Sequence, residues 1–136
     1  MRRSPSIARR GLLFAFLATA VSLPASSLES TRWKIDVAPD KVATEKGEKE
    51  FSDTVEFKDG KFSSTALGAK GFKPATYRGD FEEKEAEFEV EQTSENEGIL
   101  IWLGEVRGDK ITGSLQWKKK DGTNLFFSFN GTKNPQ

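Results

Sequence analysis

From residue 30 onward, apolar and polar residues alternate with a period of two in at least six stretches, and no stretch holds a helical period for more than two turns. A period of two puts successive side chains on opposite faces, which is the mark of a strand with one buried and one solvated side. Trp33, Ile35 and Val37 form the first such run, closed by Ala38-Pro39-Asp40, where proline followed by aspartate is turn chemistry. Lys41 to Lys49 is rich in Lys, Glu, Thr and Gly and reads as a long solvated loop.

Asp53, Val55 and Phe57 alternate up to Asp59-Gly60, and Phe62, Ser64 and Ala66 alternate away from it. Asp-Gly between two alternating runs predicts a two-residue hairpin, because both turn positions need positive φ. That turn sets Phe57 opposite Phe62 and Val55 opposite Ser64. Gly68 to Pro74 reads as a loop or irregular edge, and Ala75 to Phe81 as a short strand around Tyr77. In Lys84 to Thr93, Ala86, Phe88 and Val90 alternate with four glutamates, so one face is core and the other acidic.

Gly98 to Arg107, Lys110 to Lys119 and Thr123 to Thr132 predict two consecutive hairpins. A Gly108-Asp109 turn pairs Val106 with Ile111, Gly104 with Gly113, Trp102 with Leu115 and Leu100 with Trp117. A Lys120-Asp121-Gly122 loop, with Gly122 in the left-handed position, pairs Trp117 with Leu125, Leu115 with Phe127 and Gly113 with Phe129. Both turns place Leu115 and Trp117 on one apolar face, an internal agreement between independent signals. The opposite face of the first of these strands carries Ile99, Ile101 and Leu103, which predicts cover on both sides, from within the chain or from a protein partner.

The pattern amounts to eight strands joined mostly by local hairpins. Such a meander either closes on itself or stacks as two sheets. The expectation is an all-β, up-and-down antiparallel barrel of eight strands, with a β-sandwich as the other architecture; Gly104, Gly113 and Gly131 supply points where a sheet can bend for closure.

The amino end is built differently. Arg2, Arg3, Arg9 and Arg10 precede an apolar run from Leu12 to Leu23, followed by Pro24 and the small residues Ala25, Ser26 and Ser27. This is the plan of a secretory signal peptide, and the apolar run of about a dozen residues falls short of the roughly 20 that span a bilayer. Residues 1–27 are therefore expected to be removed, leaving 28–136 as one domain outside the cytoplasm, periplasmic or secreted. Ala25 and Ser27 favour cutting after Ser27, while Ala18 with Ala20, or Ala20 with Ser22, also fit. Arg9-Arg10 resembles a twin-arginine signal, so the export route stays open between the two systems. No cysteine follows the apolar run to carry a lipid.

Charge and composition narrow the partners. The chain has 21 basic and 21 acidic residues; with four arginines in residues 1–27, the domain holds 17 against 21. A slightly acidic domain is poorly suited to nucleic acid or to an anionic membrane surface. Cysteine and histidine are both absent, so serine–histidine and cysteine–histidine nucleophilic systems cannot be built, nor zinc, copper or haem sites from nitrogen and sulfur ligands. Asp36 with Asp40, and Asp80 with Glu82, lack calcium-loop spacing. Asn130-Gly131-Thr132 fits a glycosylation sequon, a pattern that arises often by chance. No metal, no cofactor and no enzymatic activity are expected.

Asp53 shares the parity of Val55 and Phe57; it either caps a strand end or points inward, where it would need donors. Glu85, Glu87, Glu89 and Glu91 face outward, so no inward carboxylate pair forms.

In its first strand Thr31-Arg32-Trp33 is similar to the Gly-x-Trp motif of the calycin or lipocalin-like barrels, with Thr31 in place of glycine, and the long first loop and run of hairpins match that group's layout. The resemblance implies a barrel with a possible ligand-binding interior, and implies Arg107 or Lys133 as the late basic residue over the first-strand tryptophan. Two functions follow. One is a carrier that holds a small apolar or aromatic molecule among Trp33, Phe57, Phe62, Tyr77, Phe88, Trp102, Trp117 and Phe127. The other is an interaction or inhibitor module with a filled barrel, working through Ile99, Ile101 and Leu103, with Phe126 on the outer face of the last strand.

Overall fold

The computed structural model describes residues 28–82 and 84–134; the expected signal peptide lies outside them. Eight strands run in sequence order and close into an antiparallel barrel in which every strand pairs with its neighbours in the chain and the last pairs with the first. The sandwich alternative is thereby set aside.

Strand β1 (Thr31–Pro39) alternates strictly, with Thr31, Trp33, Ile35 and Val37 buried and Arg32, Lys34 and Asp36 exposed. After it the expected long loop is in part a helical turn, α1 (Lys41–Glu45). Asp40 accepts a hydrogen bond from the Ala43 amide at 2.8 Å, which satisfies a free donor of the first turn, and Ala43 is fully buried. Proline-aspartate here starts a helix as well as ending a strand.

Strands β2 (Phe51–Lys58) and β3 (Lys61–Ser64) pair in the expected register, Phe57 with Phe62 and Val55 with Ser64. Asp59 and Gly60 have φ of 55° and 76°, as the tight turn demands. The alternation through Ala66 overstates β3, because Ser64 turns to cap α2 (Thr65–Gly68) by accepting from the Leu67 amide at 3.0 Å. Strand β4 (Ala75–Glu82) meets β3 over just two register pairs, the thinnest seam in the wall.

Strands β5 (Glu85–Ser94), β6 (Gly98–Arg107), β7 (Lys110–Lys118) and β8 (Asn124–Asn134) form the long continuous part of the sheet. Every register expected for the last two hairpins is present, from Val106 with Ile111 to Gly113 with Phe129. β8 then returns along β1, from Pro39 with Phe127 to Arg32 with Asn134.

Both ends of the barrel carry plugs. At the end where β1 begins, Leu28 is fully buried, and the Thr31 hydroxyl donates to its carbonyl while accepting from the Trp33 indole N–H at 3.0 Å. Thr31, where the resemblance expects glycine, thus positions the tryptophan. Glu29 accepts from the amides of Asp59 and Gly60 and from the Tyr77 hydroxyl, at 2.7 Å for Tyr77, which ties the segment before β1 to the β2–β3 turn and β4. At the opposite end Ala43, Leu67 and Phe72 are buried. Phe72 lies within the segment expected to be an irregular loop and meets Trp117 edge to face at 5.8 Å.

Candidate functional site

The interior is crowded with rings. Trp33, Phe57, Phe62, Phe88, Trp102, Trp117 and Phe127 are all buried, and Tyr77 is half-buried at the wall between β3 and β5. Five of these eight form one cluster: Phe57 touches Phe62, Tyr77 and Phe88 at centroid distances of 5.3, 4.9 and 5.0 Å, and Phe62 touches Trp102 at 4.9 Å. Such spacings are direct contact, mostly edge to face. The other three are placed apart from this cluster. Trp33 sits towards the Leu28 end, Trp117 packs on Phe72, and Phe127 meets Phe51 at 6.4 Å.

Two further interior groups lie outside the candidate ligand-binding set, although the register of Phe129 was expected. Phe129 has the inward parity of Phe127 and joins the cluster through Trp102 at 5.4 Å. Gln92 is fully buried; its carbonyl oxygen accepts from the Trp102 indole at 2.8 Å and its amide donates to the Lys73 carbonyl at 2.9 Å. A glutamine at an inward position of an otherwise glutamate-studded strand is the available signal, since it is the one long polar side chain there without charge.

Asp53 is buried with donors on both oxygens. One oxygen accepts from the amides of Thr54 and Ala66 at 2.7 and 2.8 Å, and the other from the Ser64 hydroxyl. Of the two expectations, the inward one with partners is the arrangement found. Its acceptor sites are taken up in holding β2, β3 and α2 together. Among the described residues no group of three carboxylates is placed to hold a metal ion.

The outer wall differs from the expectation of internal cover. Ile99 and Ile101 are half-buried, Leu103 is 49% exposed, and Phe126 is 46% exposed two strands away. Ile101 pairs with Gln116, which pairs with Phe126, so one transverse row links them. On the β5 side the column is flanked by Thr93, Glu91 and Glu89, and on the β7 side by Lys118, Gln116 and Ser114.

Beside this column a cleft of about 470 Å³ crosses β4 to β7 between two rows of outward side chains. Its floor is the transverse row Gly79, Phe88, Gly104 and Gly113. One side carries Arg78, Glu89 and Leu103, the other Asp80, Glu87 and Glu105. Asp80 faces Glu87 and Glu87 faces Glu105 in register, a run of like charges that costs stability. Arg78 answers Glu89 at 2.9 Å, and Arg107 approaches Glu105 at 3.4 Å.

A separate cleft of about 360 Å³ opens at the Leu28 end of the barrel, lined by Trp33, Ala86, Val106, Lys84 and Lys133 among others. Lys133 is the register partner of Trp33, whereas Arg107 points outward toward Glu105. Of the two basic residues that the lipocalin-like pattern suggests, Lys133 shares the tryptophan's end of the barrel.

No protein-family model, no curated protein sequence and no solved structure matches the chain.

Proposed function

We propose that this is an exported, non-enzymatic binding module in which the ring-filled barrel is a rigid scaffold and the outer wall of β6 to β8 does the work. The observation that carries the reading is a contrast. Aromatic rings meet one another across the interior at about 5 Å, while Leu103 and Phe126 leave nearly half of their surface in water. Large apolar side chains gathered on an outer wall mark a partner site. Export through residues 1–27 and a lipocalin-like ancestry belong to the same proposal; the up-and-down topology and the Trp33–Lys133 end support the latter.

A carrier is the second reading, and the cleft beside Trp33 favours it. A small apolar molecule with an acidic group would lie against Ala86 and Val106 and meet Lys84 or Lys133. Native mass spectrometry of the protein expressed from residue 1, with a thermal-shift screen of apolar and aromatic acids, separates the two. The surface reading expects a bare protein that no compound stabilises, and a Leu103→Ser/Phe126→Ser variant with unchanged melting temperature and lower fluorescence from a bound hydrophobic dye. A co-purifying small molecule, or a shift of several degrees abolished by Lys133→Ala, would overturn it in favour of the carrier.

A further inference from the structure

We infer that the open edge of β4 takes up an extended, basic peptide segment as an added antiparallel strand. The site stands apart from the outer wall of β6 to β8 and does not depend on it. β3 keeps register with β4 at Phe62 with Ala75 and Lys61 with Thr76, and the Asp59-Gly60 turn then carries the chain away. β4 runs on to Glu82, paired with β5 on its other side throughout. Along this stretch Arg78, Gly79, Asp80 and Glu82 are exposed and Phe81 is half-buried.

The direction of the main-chain groups follows from one hydrogen bond. The Gly108 amide donates to the Lys84 carbonyl, so the main chain of Lys84 faces β6 and, by alternation, that of Glu85, Glu87 and Glu89 faces β4. Their register partners Glu82, Asp80 and Arg78 are thereby bonded to β5. Gly79 and Phe81 turn their N–H and C=O groups to the open edge instead, and among the described residues no other main chain meets them. An incoming strand completes two hydrogen-bonded pairs there, which is the physical basis of recognition by strand addition.

Charge selects the occupant. β4 and β5 set Asp80, Glu82, Glu85, Glu87 and Glu89 on the outer side against Arg78 alone, and Arg78 is taken by Glu89. Among the described residues no lysine or arginine forms a salt bridge with the other four. A second copy pairing edge to edge would lay this acidic hairpin beside its twin, which like charges oppose. A segment that reads basic, apolar, basic suits the edge: its apolar residue lies opposite Phe81, and its two bases stand opposite Asp80 and Glu82. A cleft of about 300 Å³ lined by Asp80, Glu82, Glu85 and Glu87, among others, gives the long basic side chains room.

Fluorescence anisotropy of a short labelled peptide alternating lysine with valine, added to the protein expressed from residue 1, tests this. The peptide binds at low salt and more weakly as salt rises. In the antiparallel pairing its valine amides face β4, so methylating those nitrogens abolishes binding, whereas methylating the lysine amides leaves it unchanged. Any other pattern between the two methylated peptides overturns strand addition, as does a parent peptide that does not bind. Asp80→Lys/Glu82→Lys weakens binding about tenfold without lowering the melting temperature, since it relieves like-charged neighbours; unchanged affinity overturns the basic partner. A dimer that the peptide disperses in sedimentation velocity overturns the inference in favour of a second copy. Leu103→Ser/Phe126→Ser binds the peptide as wild type does, and a loss there would overturn the edge as its site; the reading of the outer wall itself falls by the ligand experiment above.

Discussion

The ring of Phe88 lies directly across Gly104, its register partner on β6, so that a methyl group built on Gly104 would overlap the ring. The glycine is the space that Phe88 occupies. This lets a bulky inward residue on β5 lean over its neighbour and still reach Phe57 and Phe62. Gly104→Ala forces the ring off this seat and costs about 1–3 kcal/mol, the usual range for overpacking. Phe88→Leu in the same chain frees the space, so the double variant should lose less in urea unfolding than the two single losses added together. Strict additivity would mean that the glycine serves the backbone bend alone.

Asp53 joins three segments through two oxygens, and the two oxygens do different work. In Asp53→Asn the carbonyl oxygen can keep the amides of Thr54 and Ala66, and the new amide can donate to the Ser64 hydroxyl, so the loss is about 1 kcal/mol. Asp53→Ala leaves those donors without an acceptor beside the core and costs about 3 kcal/mol. Equal losses for the two variants in denaturant titration would show that the carboxylate's charge, and not its acceptor geometry, is what the fold uses.

The tie between Glu29 and Tyr77 makes stability depend on pH at both extremes. The Tyr77 hydrogen bond, followed by those from the Gly60 and Asp59 amides, holds the Glu29 carboxyl below its ordinary value of 4.5 against a smaller opposing effect of burial. A lowered folded-state value means the contribution is present above about pH 4.5 and is lost as pH falls through the folded value. Burial, followed by the bond to Glu29, raises the Tyr77 hydroxyl above its ordinary value of 10. A raised folded-state value means the contribution is present below about pH 10 and fades above it, as the unfolded chain ionises first. Glu29→Gln should flatten the acid limb of a plot of melting temperature against pH, and Tyr77→Phe both limbs. Unchanged limbs in both variants would show that the tie is not formed in solution.

What was legible in the sequence follows from which forces act locally. Asp59-Gly60, Gly108-Asp109 and Gly122 dictate their own turns, and each turn fixes a register for two strands, so β2–β3 and β6 to β8 could be written down residue by residue. Eight strands with local links allow either closure or a two-sheet stack, and the pairing of β8 with β1 decides for the barrel. The two short helices were hidden because each rests on a single cap, Asp40 or Ser64, embedded in a polar or alternating stretch. Phe72 gave no periodic signal, since its neighbours are glycine, lysine and proline and it is buried as an end plug instead of a strand residue. The interior candidates were found by parity, yet parity does not say whether inward rings surround a space or fill it. Only the approach of Phe57 to three rings at 4.9–5.3 Å supplies that.

Gln92 and Trp102 make the buried polar contact with the sharpest energetic consequence, because both side chains are fully enclosed and each satisfies the other. Trp102→Phe removes the indole donor and part of the ring volume, leaving the Gln92 oxygen without its partner, at a cost of about 2–4 kcal/mol. Gln92→Leu removes the acceptor and strands the indole N–H instead; it also frees the Lys73 carbonyl, which lies in an exposed segment and can turn to water. With both changes no buried donor or acceptor is left unmet at this point, so the double variant should recover about 1–2 kcal/mol relative to the sum of the singles. Hydrogen exchange adds a second readout: the amides of residues 69–73 should exchange faster in Gln92→Leu and keep wild-type rates in Trp102→Phe, where the bond to Lys73 survives. Faster exchange there in both variants would mean that the loop is held by ring packing around Phe72 and not by the glutamine.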